Sequence, residues 1–434
     1  MAVIQKLIIR FSMMCTIAIL AYDVVEAKDK PISLEEAIDM ALKNNLNIQM
    51  AENTKKQNIL STKIDQFSLW VPKITVKIDQ VNTWESKDPI YTIQSRPIFR
   101  VEWRLASLFD KIFQAKIAGQ NNAVYKLVAK KSVETELQEV IYAYYALALA
   151  QRKWELSNNL IKLATTTLKT EEEKLRVGLI SQIDCLDAQL ALKKVKLTLL
   201  ERQEMLKEKR SSFNIMVGKP LNAATWVQSN ISIQPIWDIK AVRKEKIVDL
   251  ETAIQEKKVI IAATNLSRAK AYPLACVNLF NSFCSNGYLY DLKDKRWSRD
   301  DSPSQYIAGI GISIDIATLL LMPVTVKKEK IALHNAKVAL TQKKLAIEAS
   351  LEDKKWQYHH ALGAYKVVES QLKISKQKLT FVREKYRLNR LKLLELHEAE
   401  EATQKIEIDL IEQAFKVKKA EYGLYRMVGM SVID

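Results

Sequence analysis

The sequence predicts a mainly α protein with a smaller β part, built as two copies of one pattern. Three observations carry this. Only 9 Gly and 9 Pro punctuate 434 residues, so most of the chain runs in long elements without breakers. Apolar residues recur at helical spacing over very long stretches, interrupted by short segments of strict alternation. A shift of 211 residues superposes Lys385–Gly429 on Lys174–Gly218 without a gap, and the two halves open with the same order of elements.

The N-terminus reads as an export signal over residues 1–27. Lys6 and Arg10 give it a positive start, Phe11 to Tyr22 an apolar run, and Val25-Glu26-Ala27 a cleavage point. The run is too short to span a membrane as a helix. Cys15 lies inside it, so a lipid-modified N-terminal cysteine is not expected.

The first repeat occupies 28–220. Ser33-Leu34-Glu35-Glu36 resembles a capping box, and the helix it opens is expected to reach about Leu69, before Trp70-Val71-Pro72. Ile74, Val76 and Ile78 then alternate with polar residues as a strand does. A second strand follows the turn at Ser86-Lys87-Asp88-Pro89, with Phe99, Val101, Trp103 and Leu105 on one face and Arg100, Glu102 and Arg104 on the other. From Asp110 to Val177 one helix, or two nearly continuous ones, of about 68 residues would be on the order of 100 Å long. After Gly178 a helix returns from Ser181 to Val217, with Ile183, Leu186, Leu190, Leu197 and Leu200 at coiled-coil spacing.

A linker covers 221–242, and the second repeat 243–434. It opens with a helix over 243–272 that Pro273 stops. A strand-like piece lies near Leu274 to Tyr290, then a polar loop from Lys293 to Ser304. The clearest strand has Ala308, Ile310, Ile312, Ile314 and Ile316 on one face. A long helix after Pro323 runs to Leu388, and a last one from Leu391 to Val428. Each half thus reads helix, strand, strand, long helix, tight turn, helix. The repeat sets Lys174 on Lys385, Arg176 on Arg387, and Met216-Val217-Gly218 on Met427-Val428-Gly429.

The net charge of +17 is spread along the helices, as a solvated surface would be, and the export signal argues against a nucleic-acid partner. Three cysteines remain after the signal. Cys276 and Cys284 either pair across a bend or stand as two unpaired strand residues. No phosphate-cradling loop and no nucleophile elbow is present. Adjacent His359 and His360 fall on different sides of a helix, so no catalytic, cofactor or metal constellation is found, and the chain is not read as an enzyme.

The strands set the architecture. Their alternation suits a membrane barrel with apolar faces to lipid and polar faces to a lumen. Four strands cannot close a barrel, and open edges cannot face lipid. Three copies give twelve strands.

These residues resemble the TolC-like outer membrane efflux proteins. The resemblance rests on Ser33-Leu34-Glu35-Glu36-Ala37 with Ala41-Leu42-Lys43-Asn44-Asn45, on Val71-Pro72, on Arg176-Val177-Gly178-Leu179 with Asp184 six residues beyond the glycine, and on the Met-Val-Gly closing each half. It implies a homotrimer with a 12-stranded β-barrel in outer-membrane lipid and a long helical barrel in the periplasm. That assembly would be the passive exit duct of a tripartite efflux or type I secretion system, with a periplasmic adaptor and an inner-membrane pump or export ATPase as partners.

The resemblance also implies site residues. Val177, Gly178 and Leu179 would be an adaptor-docking tip, and Leu388, Asn389 and Arg390 its counterpart. Glu395 and Glu398 fall where relatives constrict the pore with acidic rings, and Asp184 and Asp187 are their equivalents in the first half. Asp184 is expected to bond Tyr386 across the hairpins. The arginine that often shares this role is replaced by Leu391, with Arg390 beside it. Ordinary solvated carboxylates are the alternative for all four acids. The competing reading of the whole chain is a soluble periplasmic coiled-coil scaffold.

Overall fold

The computed structural model describes residues 30–84, 91–104, 108–229, 233–234, 249–271, 276–285, 287–291, 295–299, 303–313, 316–388, 390–391 and 393–427. The export signal, the Ser86–Pro89 turn, Leu105 and Ile314 lie outside them. The elements in chain order are α1 (Leu34–Asn44), α2 (Leu46–Ser68), β1 (Lys73–Trp84), β2 (Tyr91–Arg104), α3 (Leu108–Arg176), α4 (Gln182–Val217), α5 (Leu250–Lys270), β3 (Cys276–Cys284), β4 (Tyr288–Asp291), β5 (Arg296–Arg299), β6 (Gln305–Ser313), α6 (Ile316–Arg387) and α7 (Leu393–Met427). The chain divides into two compact units. One comprises 1–50, 132–248 and 349–434, the other 51–131 and 249–348. Each unit draws on both halves of the sequence repeat, so the repeat is not a spatial boundary.

In the first unit α1 begins as the sequence indicates. Ser33 and Glu36 form a reciprocal capping box. The expected continuous opening helix is in fact two helices, broken at Asn45, whose backbone is extended. The Asn45 side chain accepts from the N–H groups of Asn47 and Ile48, capping α2, and donates to the Met216 carbonyl at 3.0 Å. The break lies against the end of α4. There Gly218 closes the helix with a left-handed backbone (φ 71°), and a Cβ on it would sit 2.4 Å from the Asn44 Cβ. The core joins Ala37, Ile38 and Ala41 to Leu137, Val140, Ile141, Tyr144, Leu206, Phe213 and Val217. A second cluster packs Leu351, Tyr358 and Ala361 on Val417 and Leu424. Beside it lies a buried ion pair. Lys418 Nζ donates to Glu421 at 2.7 Å and to the Gln234 carbonyl at 2.9 Å, and the Tyr425 hydroxyl donates to Glu421 at 2.5 Å.

The second unit holds the sheet. Six segments form four rows: β1, β2, β3 continued by β4, and β6 continued by β5. The four-strand expectation holds by row. The single piece expected over 274–290 is two segments, and the expected polar loop contains β5. Along β2, Ile98 pairs with Cys284 but Ser95 with Tyr288. Three steps on one strand face four on the other, the signature of a β-bulge. Ile316 opens α6 rather than extending the last strand, and Pro323 lies inside the helix it was expected to precede. Its missing N–H leaves the Leu319 carbonyl without the usual helical donor.

Cys276 and Cys284 begin and end the same strand. Eight residues at about 3.3 Å each put them roughly 26 Å apart, far beyond disulfide reach, and Cys284 is a free thiol. In this unit Glu251 is held by Lys131 at 2.5 Å and by Lys343. These bonds lower its pKa to about 2, the Lys131 bond contributing most.

Candidate functional site

The two tips share one hydrogen-bond frame. At the first, the Gly178 N–H donates to Leu175 O and the Leu179 N–H to Lys174 O, both at 2.9 Å. That is a Schellman closure of α3, with Gly178 in the left-handed region at φ 75°. At the second, the Arg390 N–H donates to Lys385 O at 2.9 Å, the equivalent bond after a shift of 211. Asn389 lies outside the described residues. Both returning helices start at equivalent positions, Gln182 and Leu393. The tips differ in what they present. The first exposes Val177 and Leu179 together with Ile183 and Leu186 of α4. The second exposes Leu388 and the basic Arg387 and Arg390.

Asp184 is half-buried and closes a capping box with Ser181, accepting from the Ser181 N–H at 3.1 Å and hydroxyl at 2.7 Å. The expected Tyr386 bond goes elsewhere. The Tyr386 hydroxyl donates to the Glu171 carboxylate and accepts from Lys174 Nζ at 2.9 Å, while Nζ donates to Glu171 at 2.8 Å and lies 4.5 Å from the Tyr386 ring centroid. Glu171 lies on α3, a turn and a half before the tip, and is only 2% exposed. Its chemistry suits the slot: a buried carboxylate needs charged and hydroxyl donors close by. Burial pushes the Tyr386 pKa up, and the Glu171 bond adds to this. For Lys174 burial opposes the charge, but the bonds to Glu171 and Tyr386 outweigh it and leave the pKa raised. One helical turn along α6, Arg383 donates two bonds to Glu400 of α7 (3.2 and 2.9 Å). Ala188, Leu393 and Leu396 fill the space between, with Leu168, Leu379 and Val382 against them. The structure thus brings Tyr386 together with Glu171 and Lys174.

The remaining acids stand apart from this cluster. Asp187, Glu395 and Glu398 are exposed. Glu398 borders a cleft of about 700 Å³ between α3, α4 and α7, beside Lys194 and Glu401, which pair at 3.0 Å. Glu171 and Lys174 were missed by the motif reading. The repeat held a signal: its shift sets Glu171 on Val382 and Leu175 on Tyr386, so the polar pair appears where the two halves differ. Among the described residues no group of three His, Cys, Asp or Glu could hold a metal, and no helix is long and apolar enough to cross a membrane.

The sheet presents two contrasting faces. By register, Ile74, Val76 and Ile78 share a face with Phe99 and Val101, Leu279 and Phe283, and Tyr306, Ile310 and Ile312. Much of this face is open: Val76 and Ile312 are each 72% exposed and Ile310 is 70% exposed. The other face carries Lys73, Thr75, Lys77, Arg100, Glu102 and Ser282. Among the described residues each outer row, β1 on one side and β5 with β6 on the other, has a partner on one edge only.

Paired long helices closed by such tips, with an amphipathic four-row sheet, define the fold of the TolC-like outer membrane channels. Solved structures of this class superpose on the chain. CusC, described in terms of folding and transmembrane channel formation, matches with a TM-score of 0.76 and 14% identity over 91% of each chain. The Campylobacter jejuni CmeC outer membrane channel matches with 0.70 and 13% over 91% of this chain and 85% of that one. The open state of the Neisseria gonorrhoeae MtrE outer membrane channel matches with 0.71 and 14% over 91% and 88%. No protein-family model and no curated protein matches the sequence; the likeness is one of fold.

Proposed function

We propose that the chain is one protomer of a homotrimeric outer-membrane exit channel. The observation that carries this reading is the sheet. It has an exposed apolar face, an opposite polar face, and two open edges. In water the apolar face would be a large unsatisfied patch. In lipid that face is at home, but the edges must be paired. Three copies, row beside row, give twelve strands with no edge and a polar lumen. A soluble periplasmic scaffold would leave the apolar face in water.

The helices support the same assembly. Exposed apolar residues recur along α4 as Ile183, Leu186, Leu190, Leu197 and Leu200, and along α6 as Val367, Ile374 and Phe381. These are coiled-coil seams awaiting a partner, and neighbouring protomers would supply it in a periplasmic helical barrel. Substrate then passes without catalysis. Energy comes from an inner-membrane pump or export ATPase, linked by a periplasmic adaptor that docks on Val177, Gly178 and Leu179, with Leu388, Asn389 and Arg390 as the second contact. In this reading Glu171, Lys174 and Tyr386 hold the entrance shut, and Asp184, Asp187, Glu395 and Glu398 line its approach.

Membrane fractionation with chemical crosslinking tests the proposal. The mature chain is expected in the outer-membrane fraction as a crosslinked trimer. Recovery as a soluble monomer would sink it.

A further inference from the structure

The polar face of the sheet is lopsided in charge. Lys73, Lys77 and Asp79 of β1 share it with Arg96, Arg100, Glu102 and Arg104 of β2, as the pairs Lys73 with Glu102, Thr75 with Arg100, Lys77 with Ile98, Asp79 with Arg96 and Arg104 with Asn278 require. β3 and β6 add Asn278, Phe280, Ser282, Gly309 and Gly311, none of them charged, and β4 and β5 add one acid and one base, the paired Asp291 and Arg296. Along the described strands six cations therefore stand against three carboxylates, a formal surplus of three per chain whatever pairs they form among themselves. Lys73, Lys77 and Arg100 are exposed. The aromatic on this face is folded down: Phe280 ring atoms lie 2.8–3.4 Å from where a Gly309 Cβ would be. The long basic side chains are left to reach furthest from the sheet.

We propose that the barrel lumen, as distinct from the acid-lined entrance, selects anions, favouring solutes that carry carboxylate, phosphate or sulfonate groups. This rests on the channel reading above, in which the polar face lines the lumen. Three copies then set a surplus of nine positive charges around one closed ring. A ring of Lys and Arg favours anions as a ring of Asp and Glu favours cations. Low-dielectric walls focus such a field and raise the local counter-ion concentration by on the order of tenfold or more.

Reversal potentials in planar bilayers under a potassium chloride gradient test this, with the purified full-length trimer. Chloride is expected to permeate roughly tenfold better than potassium. In a K77E/R100E chain each substitution moves two charges, so the surplus of three becomes a deficit of one and the preference should reverse. If that chain does not insert, K77Q/R100Q leaves a surplus of one and should bring selectivity close to neutral. A wild-type pore that prefers potassium, or variants that leave the preference unmoved, would overturn the inference. Absence of any conductance, both in the wild type and in a Y386F chain with its entrance bond removed, would overturn the channel reading and this inference with it.

Discussion

Replacing Tyr386 by Phe removes one hydroxyl and leaves the ring and its packing against Leu393 and Leu396 in place. The hydroxyl donates to a carboxylate that is 2% exposed, so water cannot replace it. A hydrogen bond to a charged group is worth about 1.5–3 kcal/mol. Glu171 keeps Lys174, and Arg383 keeps Glu400, so the tip stays folded. In the channel reading the loss falls on the closed arrangement of α3 against α6. At about 1.4 kcal/mol per factor of ten, opening should become roughly 10- to 100-fold more favourable. Open probability in planar bilayers reads this directly, and thermal melting of the same preparation should hardly move. Asp184→Asn is the control. It weakens the α4 cap, at about 1 kcal/mol, without touching the Tyr386 hydroxyl. A Y386F pore that opens no more often than wild type, beside a D184N pore that does, would refute the reasoning.

Four further outcomes follow from the geometry. Glu251 has a folded pKa of about 2, below its unfolded value. Its contribution is therefore complete above about pH 4.5 and lost as pH falls toward 2; with its side chain 32% exposed to screening, it is worth roughly 1 kcal/mol, so Glu251→Gln should lower the melting temperature at pH 6 and much less at pH 2. Glu421→Gln strands Lys418 in the core and should cost about 3–5 kcal/mol in denaturant titration, whereas changing Lys418 and Glu421 together to Met should cost much less. Gly218→Ala should destabilise strongly, because its Cβ meets Asn44 at 2.4 Å, while Gly178→Ala meets nothing within 4 Å and should cost only about 1–2 kcal/mol for the left-handed backbone. Val76→Arg on the apolar face should impair membrane insertion by about 2–4 kcal/mol, read from the folded fraction in lipid vesicles.

Much of the fold was legible because its signals are local. Long breaker-poor stretches and strict alternation need no partner to be recognised, and the Gly178 turn and Ser181 cap are written in adjacent residues. What escaped depends on distant contacts. Lys43-Asn44-Asn45-Leu46 keeps helical spacing, and the break at Asn45 is decided by the Met216 carbonyl and Gly218, more than 170 residues away. β5 reads Arg296-Trp297-Ser298-Arg299, polar enough to pass for loop; pairing with β4 makes it a strand. Glu171 sits in a Glu171-Glu172-Glu173 run that looks like solvated surface. Tyr386, arriving from the other half, and Lys174 close over it, a contact that no local pattern around Glu171 announces.

The one-residue excess between Cys284 and Tyr288 has a consequence for aim. In β3 the odd-numbered residues share the apolar face; past the bulge the even-numbered ones do. Tyr288 and Tyr290 are thereby turned to the same side as Ile310 and Ile312, and Trp297, paired with Tyr290 at a ring separation of 5.0 Å, follows them. With Tyr306 they form a band of amphipathic rings at one end of the apolar surface, where lipid headgroups would meet it. Were the same residues to run on without the bulge, Tyr288 would fall opposite Gln94 instead of Ser95 and the whole band would turn to the polar face. In the channel reading, the extra residue at the bulge is what would let these rings anchor a trimeric barrel at its membrane boundary.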